Sequence, residues 1–494
     1  MMVVEAATAA ADSVSPMAVG AGGGCVSLHN FRLSTVVPGS VTGEAVDYEL
    51  TDADLLHKLH YLRAVHVFRA PAPGAAAALN VRELKEPMFP WLDMYFPVSG
   101  RVRRHQAADG DNAEGAKEDA AAGRPYVRCN DCGVRIVEAT CDATVDEWLE
   151  AEAERGGLCK VLAYDKVIGP ELFFSPLLYV QFSWNKKVTV GTNSKRHVIE
   201  QVTSFKCGGM AFGFTWAHLI GDMPSAAACF STWAQLFSGK KVPPPTLRDP
   251  LTRPPSAAPG SMMLPPSVKA TAAAVGDHWV VPTARDMVSF SFHVTEQQLK
   301  GLQLTAPASG RHQVGTFELV AALVWRALAA IRSTEEEEAT RTVTVVKTTD
   351  PVPAPGGGRL GLTNEHRIGH VVATGGSSPA AADVAKLAAL LAGARLDEAG
   401  AVAAAALAGP EDADVVVYGA NLTFVDAEGL DVYGLELGAW RPAHVEYAVD
   451  GVGDGGSVVV HRDAGGRGRT VAAVVRRGEA DRLRAALREA LRVA

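Results

Sequence analysis

Residues 205–237 read FKCGGMAFGFTWAHLIGDMPSAAACFSTWAQLF, and this stretch decides the fold because two periodicities meet in it. From Met210 to Trp216, bulky residues alternate with small ones, which is the period of a β-strand. After Gly221, Asp222 is a good helix N-cap, and large apolar residues then recur at helical spacing. The sequence therefore predicts a strand, a short turn and a helix, a junction at which α/β folds often place reactive groups.

The turn at this junction contains His218 and Asp222 in an HxxxD pattern. This pattern suits a histidine general base that is steadied by a nearby carboxylate. His105 and Asp109 fit it equally well, but they lie in a polar run with no predicted strand before it or helix after it. Context therefore favours His218. Taken alone, the five residues of the turn favour the other hypothesis, a structural histidine at a strand end beside a helix cap.

The composition is that of a globular chain. Of its 494 residues, 48% are hydrophobic and 21% are charged. The chain is long enough for two domains or more. The net charge of −8 argues against nucleic acid or an anionic membrane surface as the main partner. The most apolar segments are too short for a transmembrane segment, and the first basic residue is Arg32, so no secretory signal is expected. Residues 1–25 are expected to be disordered.

The cysteines indicate a reducing compartment, because seven of them are spread over a chain without an export signal. Cys129 and Cys132 form a CxxC pair, but no second pair of ligands follows at the spacing of a zinc site. The Asn-Asp between them separates two β-rich runs, which predicts a hairpin turn. We therefore expect no metal.

The proline-rich segment 239–266 is predicted to be a crossover linker between two domains, since proline interrupts helices and central strands. The N-terminal domain would cover residues 26–238 and the C-terminal domain residues 267–494. Residues 162–181 predict a pair of strands joined by a Gly-Pro turn. Residues 182–201 form an atypical basic insert, which is either an exposed loop or intron sequence read as coding.

Three motifs together resemble the BAHD family of plant acyl-CoA-dependent acyltransferases. They are the junction with His218 and Asp222, the segment YFPVSGR at 95–101 and the predicted helix TFELVAALVWRA at 316–327. The likeness extends from about residue 26 to the C-terminus. It implies an α/β fold of two similar domains that resemble chloramphenicol acetyltransferase. Each domain would be a mixed sheet flanked by helices, with a tunnel between the two.

The resemblance also implies roles for single residues. His218 would be the general base that deprotonates an acceptor hydroxyl or amine, which then attacks an acyl-CoA thioester. Asp222 would be structural and hold the loop. Trp216, Gly221 and Gly438 are candidates for the wall of the tunnel. Acyl-CoA is the expected substrate, and no permanently bound cofactor is expected.

The second BAHD motif, Asp-Phe-Gly-Trp-Gly, aligns with residues 436–440, where only Gly438 is kept. The phrases RCND at 128–131, YGANLTFV at 418–425 and GVGD at 451–454 resemble the Eceriferum/Glossy-2 branch of the family. This branch implies a role in cuticular wax, in which very-long-chain acyl-CoAs are extended by the fatty acid elongase. The implied partner is its condensing enzyme, a 3-ketoacyl-CoA synthase, at the cytosolic face of the endoplasmic reticulum.

Two hypotheses follow from the resemblance. The protein is an accessory partner that promotes acyl-CoA elongation, or it is an active acyl-CoA-dependent O/N-acyltransferase with a histidine base. The intact His218 and Asp222 favour transfer, whereas the altered second motif favours a changed role. Selection of chain length needs no catalytic residue, since each methylene buried in a dry channel contributes roughly 0.8 kcal/mol.

Overall fold

The structure is a computed structural model that carries side chains. It describes residues 28–43, 46–72, 79–105, 123–155, 157, 159–165, 167–184, 208–248, 264–305, 314–332, 340–348, 361–373, 378–408 and 413–493. The predictions for residues 1–25, for Asp109, for residues 185–201 of the basic insert and for residues 249–263 of the linker lie outside these ranges.

The described strands and helices alternate along the chain. The strands are β1 (Leu28–Val36), β2 (Asp47–Glu49), β3 (Tyr61–Phe68), β4 (Arg101–Arg104), β5 (Pro125–Arg128), β6 (Val134–Cys141), β7 (Leu178–Trp184), β8 (Met210–Ala217), β9 (Lys269–Ala270), β10 (Met287–Val294), β11 (Thr342–Thr348), β12 (His366–Val372), β13 (Val415–Val416), β14 (Leu422–Asp426), β15 (Pro442–Asp450), β16 (Ser457–Arg462) and β17 (Arg469–Arg476). The α-helices are α1 (Asp52–Leu56), α2 (Val81–Lys85), α3 (Met88–Met94), α4 (Val145–Arg155), α5 (Cys159–Leu162), α6 (Met223–Phe237), α7 (Glu296–Thr305), α8 (Thr316–Ile331), α9 (Val384–Ala392), α10 (Ala399–Ala408) and α11 (Arg477–Val493).

Two six-stranded mixed sheets organise the molecule. The first has the order β1-β6-β7-β8-β3-β15, with β6 and β7 parallel and the other pairs antiparallel. The second has the order β10-β17-β16-β14-β11-β12, with β14 parallel to both of its neighbours. One face of the second sheet packs against helices in a buried apolar cluster of its own, whereas its other face joins the larger cluster around the first sheet. The architecture is thus α/β with two mixed sheets.

Strand β15 joins the two halves of the chain. It belongs to residues 267–494, yet it pairs along its length with β3 in the first sheet, from Pro442 opposite Phe68 to Asp450 opposite Tyr61. Arg63 of β3 forms a buried ion pair with Asp450, with 2.6 Å between Nη2 and Oδ2. The first sheet therefore contains strands from both sides of the proline-rich segment 239–266.

The junction that opened the sequence analysis folds as predicted. All eight residues of β8 are buried, and α6 begins directly after Asp222. The bulky face of β8 packs on α6, with the rings of Phe214 and Phe230 centred 4.3 Å apart and those of Phe212 and Trp233 centred 5.0 Å apart. Such stacked aromatic pairs bury large areas and hold the helix against the sheet. The end of β8 is therefore rigidly placed.

Two of the predicted connections are wrong. The runs on either side of Cys129 and Cys132 do not form a hairpin, because β5 pairs with β2 and β4 whereas β6 pairs with β1 and β7. The segment between them carries the chain from one sheet to another, with Asp131 and Gly133 at positive φ. The described residues of 162–181 contain one strand, the start of β7, rather than a pair of strands. The preceding helix α5 ends at Leu162.

Candidate functional site

His218 lies directly after β8, at the start of the single 3-10 turn His218–Ile220 that leads to α6. Its backbone N–H donates to the carbonyl of His60 at 3.1 Å, which extends the pairing of β8 with β3 by one residue. The Nε1–H of Trp216 donates to the carbonyl of Gly221 at 2.9 Å and closes the turn. The imidazole of His218 is fully buried, so its chemistry depends entirely on its protein neighbours.

Both ring nitrogens of His218 are hydrogen bonded to residues of the second half of the chain. Nδ1 lies 2.9 Å from Oδ1 of Asn364, and Nε2 lies 3.1 Å from the hydroxyl of Tyr418. The amide nitrogen of Asn364 donates to Oδ1 of Asp54 at 2.9 Å and to the carbonyl of His218 at 3.0 Å. Oδ1 of Asn364 must therefore accept, which places the imidazole proton on Nδ1 and leaves Nε2 as an acceptor.

Asp54 anchors the far side of this network. Its carboxylate completes a capping box with Thr51 at the start of α1 and pairs with Arg248, with 2.7 Å between Oδ2 and Nη2. Asp54 is fully buried, and buried carboxylates are stable only when they are paired and hydrogen bonded. The amide of Asn364 thus connects His218 to a satisfied buried ion pair.

The ring of His218 and the carboxylate of Asp222 share no hydrogen bond in the part of the chain that the structure describes; Asp222 binds the segment that carries Asn364. Its Oδ1 accepts the N–H of Ser225 at 3.0 Å as an N-cap, and its Oδ2 accepts the N–H of Glu365 at 3.0 Å. Its own N–H donates to the carbonyl of Thr363 at 2.9 Å. Burial raises the pKa of Asp222 to about 7, although the bonds from Ser225 and Glu365 act in the opposite direction.

Three more histidines surround His218. The ring of His57 stacks on that of His218 with centroids 4.3 Å apart, and the ring of His366 lies 4.6 Å from that of His57. Burial lowers the pKa of His60 and of His366 to about 4, and it lowers the pKa of His57 and of His218 well below the usual value. The four imidazoles are therefore neutral at pH 7.

His57 differs from His218 and His60 in its polar contacts. Neither of its ring nitrogens has a hydrogen-bond partner among the described residues, although the ring is fully buried. His60, by contrast, is fully used: its Nδ1–H donates to the carbonyl of Gly451 at 2.9 Å, and its Nε2 accepts the N–H of Val417 at 3.1 Å. Within the described ranges, no group of histidines, cysteines and carboxylates has the arrangement of a metal site.

The residues predicted from the sequence are only partly brought together. His218, Asp222, Trp216 and Gly221 share one turn, where a Cβ on Gly221 would lie 2.8 Å from that of Ser225. Gly438 lies elsewhere. Its N–H donates to the hydroxyl of Ser238, which follows the C-terminal end of α6. The 15 residues of α6 span about 22 Å, so Gly438 is far from the turn that precedes this helix.

The other HxxxD pair, His105 and Asp109, is not complete within the described residues. His105 bonds to Glu49, with 3.0 Å between Nε2 and Oε1, and stacks on Tyr126. Asp109 lies outside the described ranges. The site of interest therefore remains the one around His218.

The sequence did not indicate Asn364, Tyr418 or the histidines at 57, 60 and 366. A usable signal existed in the His-x-x-His spacing of His57 and His60, which directly precedes a buried strand. Asn364 and Tyr418 are 146 and 200 residues away from His218, and no local pattern links them to it.

No described helix combines the length and the apolar character that crossing a membrane requires. This finding covers only the part of the chain that the structure describes.

Known proteins similar to this chain identify its family. The profile described as Transferase family matches residues 28–355. The chain is 33% identical to Protein ECERIFERUM 26-like of Arabidopsis thaliana over 88% of this chain and 89% of that protein. It is 33% identical to Protein ECERIFERUM 2 of Arabidopsis thaliana over 87% and 90%.

Solved structures show the same fold. Vinorine synthase superposes with a TM-score of 0.59 at 16% identity over 92% of this chain and 96% of its own. TRI101 of F. graminearum, complexed with coenzyme A and deoxynivalenol, gives 0.58 at 14% identity over 90% and 97%. The two mixed sheets are thus the two halves of a chloramphenicol-acetyltransferase-like fold. With the family profile and the ECERIFERUM relatives, this fold shows that the chain belongs to the BAHD transferase family, in its Eceriferum/Glossy2 branch.

Proposed function

We propose that this protein promotes the elongation of very-long-chain fatty acyl-CoAs for cuticular wax, as an accessory partner of the elongase condensing enzyme. Three features support the proposal: similarity to ECERIFERUM proteins along most of the chain, the altered second motif at 436–440 and the closed surroundings of His218. Its expected place is the cytosolic face of the endoplasmic reticulum, through the condensing enzyme.

The observation that carries the proposal is that both nitrogens of His218 bind protein groups inside a fully buried cluster. A general base needs its free lone pair within hydrogen-bond reach of the acceptor's proton. In this structure that lone pair is directed at Tyr418. The imidazole therefore connects the two halves of the chain, and this structural role requires no proton transfer from a substrate.

Acyl-CoA is the proposed ligand. TRI101, with the same fold, was crystallised with coenzyme A. An elongation partner must select acyl chains by length, and the burial of each further methylene contributes roughly 0.8 kcal/mol of binding free energy. We infer that this protein binds the acyl-CoA and presents it, while the condensing enzyme forms the new carbon–carbon bond.

One observation favours the second candidate function, an acyl-CoA-dependent O/N-acyltransferase. The hydrogen bonds of Asn364 fix the imidazole with the proton on Nδ1, so that Nε2 is in the form that a general base requires. A transferase would need Tyr418 to leave Nε2 and an acceptor hydroxyl or amine to replace it.

Expression in yeast that carries a plant condensing enzyme separates the two functions. We expect the wild-type protein to lengthen the acyl chains relative to the vector control. The variant His218→Ala is expected to keep this effect once the level of folded protein is matched. His66→Ala is the control. His66 is as deeply buried as His218, but it lies five residues after Tyr61, which is the residue of β3 that pairs with Ala217 at the end of β8.

Each outcome of this experiment decides between the hypotheses. Loss of chain lengthening in His218→Ala but not in His66→Ala would support the acyltransferase and contradict the accessory role. If the wild-type protein does not change chain length with any condensing enzyme that it can be paired with, the elongation function itself is wrong.

A further inference from the structure

Tyr418 stands where an acceptor substrate would stand. Its hydroxyl lies 3.1 Å from Nε2 of His218, which is the distance over which a general base removes a proton from an alcohol. Because Nδ1 of His218 is the protonated nitrogen, the hydroxyl of Tyr418 must be the donor of this bond. Burial raises the pKa of Tyr418, so its hydroxyl keeps that proton at neutral pH.

The backbone around Tyr418 is fixed from several sides. Nε2 of His60 accepts the N–H of Val417 at 3.1 Å and that of Tyr418 at 3.4 Å. The carbonyl of Tyr418 accepts the N–H of Gly453 at 3.0 Å. Gly419 follows with a φ of 84°, and a Cβ there would collide with the backbone of Gly453. The phenol is thus held in place by the fold, and it is only 3% exposed.

We propose that Tyr418 is an internal substitute for the acceptor, which occupies the base His218 and prevents this protein from transferring acyl groups. The proposal rests on the proposed function, since it explains how a BAHD protein can bind an acyl-CoA without consuming it. Tyr418 is a positioning residue in this sense: it acts through His218 and keeps other hydroxyl groups away from Nε2.

Removal of the phenol should uncover a latent reaction. With the space open, Nε2 of His218 takes a proton from a water molecule, and the water oxygen attacks the thioester carbonyl of the acyl-CoA. The carbon–sulfur bond then breaks, and the thiolate of coenzyme A takes the proton from the imidazolium. The products are a free fatty acid and coenzyme A, so the step needs no other reactant.

The test measures release of the coenzyme A thiol from a very-long-chain acyl-CoA by purified full-length protein. We expect Tyr418→Ala to release thiol at least about tenfold faster than the wild-type protein, as is reasonable for one positioned general base. The double variant Tyr418→Ala/His218→Ala should return to the wild-type rate, because the reaction uses Nε2. Tyr418→Leu is the second variant; it lacks the hydroxyl but fills more of the buried space, in case the alanine variant does not fold.

The proposal is overturned if a folded Tyr418→Ala protein releases thiol no faster than the wild type, or if Tyr418→Leu does not where the alanine variant fails to fold. It is also overturned if the faster release persists without His218, or if the wild-type protein already transfers acyl groups and loses this activity with Tyr418. The yeast measurement with wild-type protein judges the elongation function separately. A failed thiol experiment beside normal chain lengthening would remove only the role of Tyr418.

Discussion

At the scale of single residues, the polar groups that bind His218 satisfy one another. Asn364 illustrates this, because its amide uses both ends: Oδ1 accepts from His218, and Nδ2 donates to Asp54 and to the backbone. A buried amide that is satisfied on both sides allows one orientation and therefore one tautomer of the histidine. The tautomer of His218 is thus set by Asn364, a residue of the second half of the chain.

The histidine cluster predicts how stability depends on pH. Burial lowers the pKa of His60 to about 4, below the unfolded value of about 6.5. Between these two pH values the unfolded chain binds more protons than the folded one, so folding stability falls as the pH falls through this window. His60 alone contributes up to about 3 kcal/mol to this loss.

The variant His60→Gln tests this contribution. Glutamine has a donor and an acceptor like those that His60 presents to Gly451 and Val417, but it does not titrate. We expect its free energy of unfolding, measured with urea between about pH 7 and about pH 4.5, to fall less steeply than that of the wild-type protein. Equal slopes for the two proteins would show that His60 does not titrate in this range.

Sequence reasoning found only part of this residue network. His218 and Asp222 were visible because a strand period and a helix period meet beside them. Tyr418 and Asn364 were not, because their link to His218 exists only after strands from distant parts of the chain have paired. A period describes local backbone geometry and contains no information about partners that are hundreds of residues away.

At the scale of elements, the turn between β8 and α6 depends on one carboxylate with two tasks. Asp222 caps α6 through Ser225 and also holds the segment before β12 through Glu365. Asp383 offers a comparison, since it caps α9 through Ala385 at 2.9 Å. Among the described residues, the carboxylate of Asp383 accepts no hydrogen bond from a second backbone segment.

We therefore predict that Asp222→Ala lowers stability more than Asp383→Ala does. Loss of an N-cap costs about 1 kcal/mol, and each buried N–H left without a partner costs a further 1–3 kcal/mol or so. The expected losses are about 3 kcal/mol for Asp222→Ala and about 1 kcal/mol for Asp383→Ala, measured by urea unfolding at pH 7. If the two variants lose the same amount, the bond to Glu365 adds nothing to stability.

The predictions of elements are correct where a local sequence pattern determines them, and they are wrong where the structure depends on which strands pair. The junction of β8 with α6 and helix α8 form where the sequence predicts them. The hairpin around Cys129 was wrong because two adjacent β-rich runs suggest one hairpin, whereas β5 and β6 bind different partners. The choice of partner depends on the buried faces of whole sheets, which single runs do not reveal.

At the scale of the whole molecule, the two halves share a sheet. Without β15, strand β3 would be an edge strand with its backbone groups exposed from Tyr61 to Phe68, and exposed apolar edges of this kind aggregate. The buried side chain of Arg63 would keep Asp165 but lose Asp450 as a carboxylate partner. The first sheet is therefore incomplete in the first half of the chain alone.

We predict that a fragment of residues 1–248 is insoluble when it is expressed alone and becomes soluble when residues 249–494 are co-expressed with it. The two fragments should then co-purify, because β15 supplies the missing edge of the sheet. Size-exclusion chromatography with detection of both fragments checks this. A soluble, monomeric first fragment that unfolds cooperatively by itself would contradict the prediction.

The pairing of β3 with β15 also limits how relatives of this protein can be recombined. A chimera joined in the proline-rich segment would place the β15 of one parent against the β3 of the other, so that the ion pair of Arg63 with Asp450 would be divided between two parents. Segment 442–450 should therefore be inherited with the first half of the chain. An exchange of the rest of the second half between relatives then requires two breakpoints within it, one on each side of this strand.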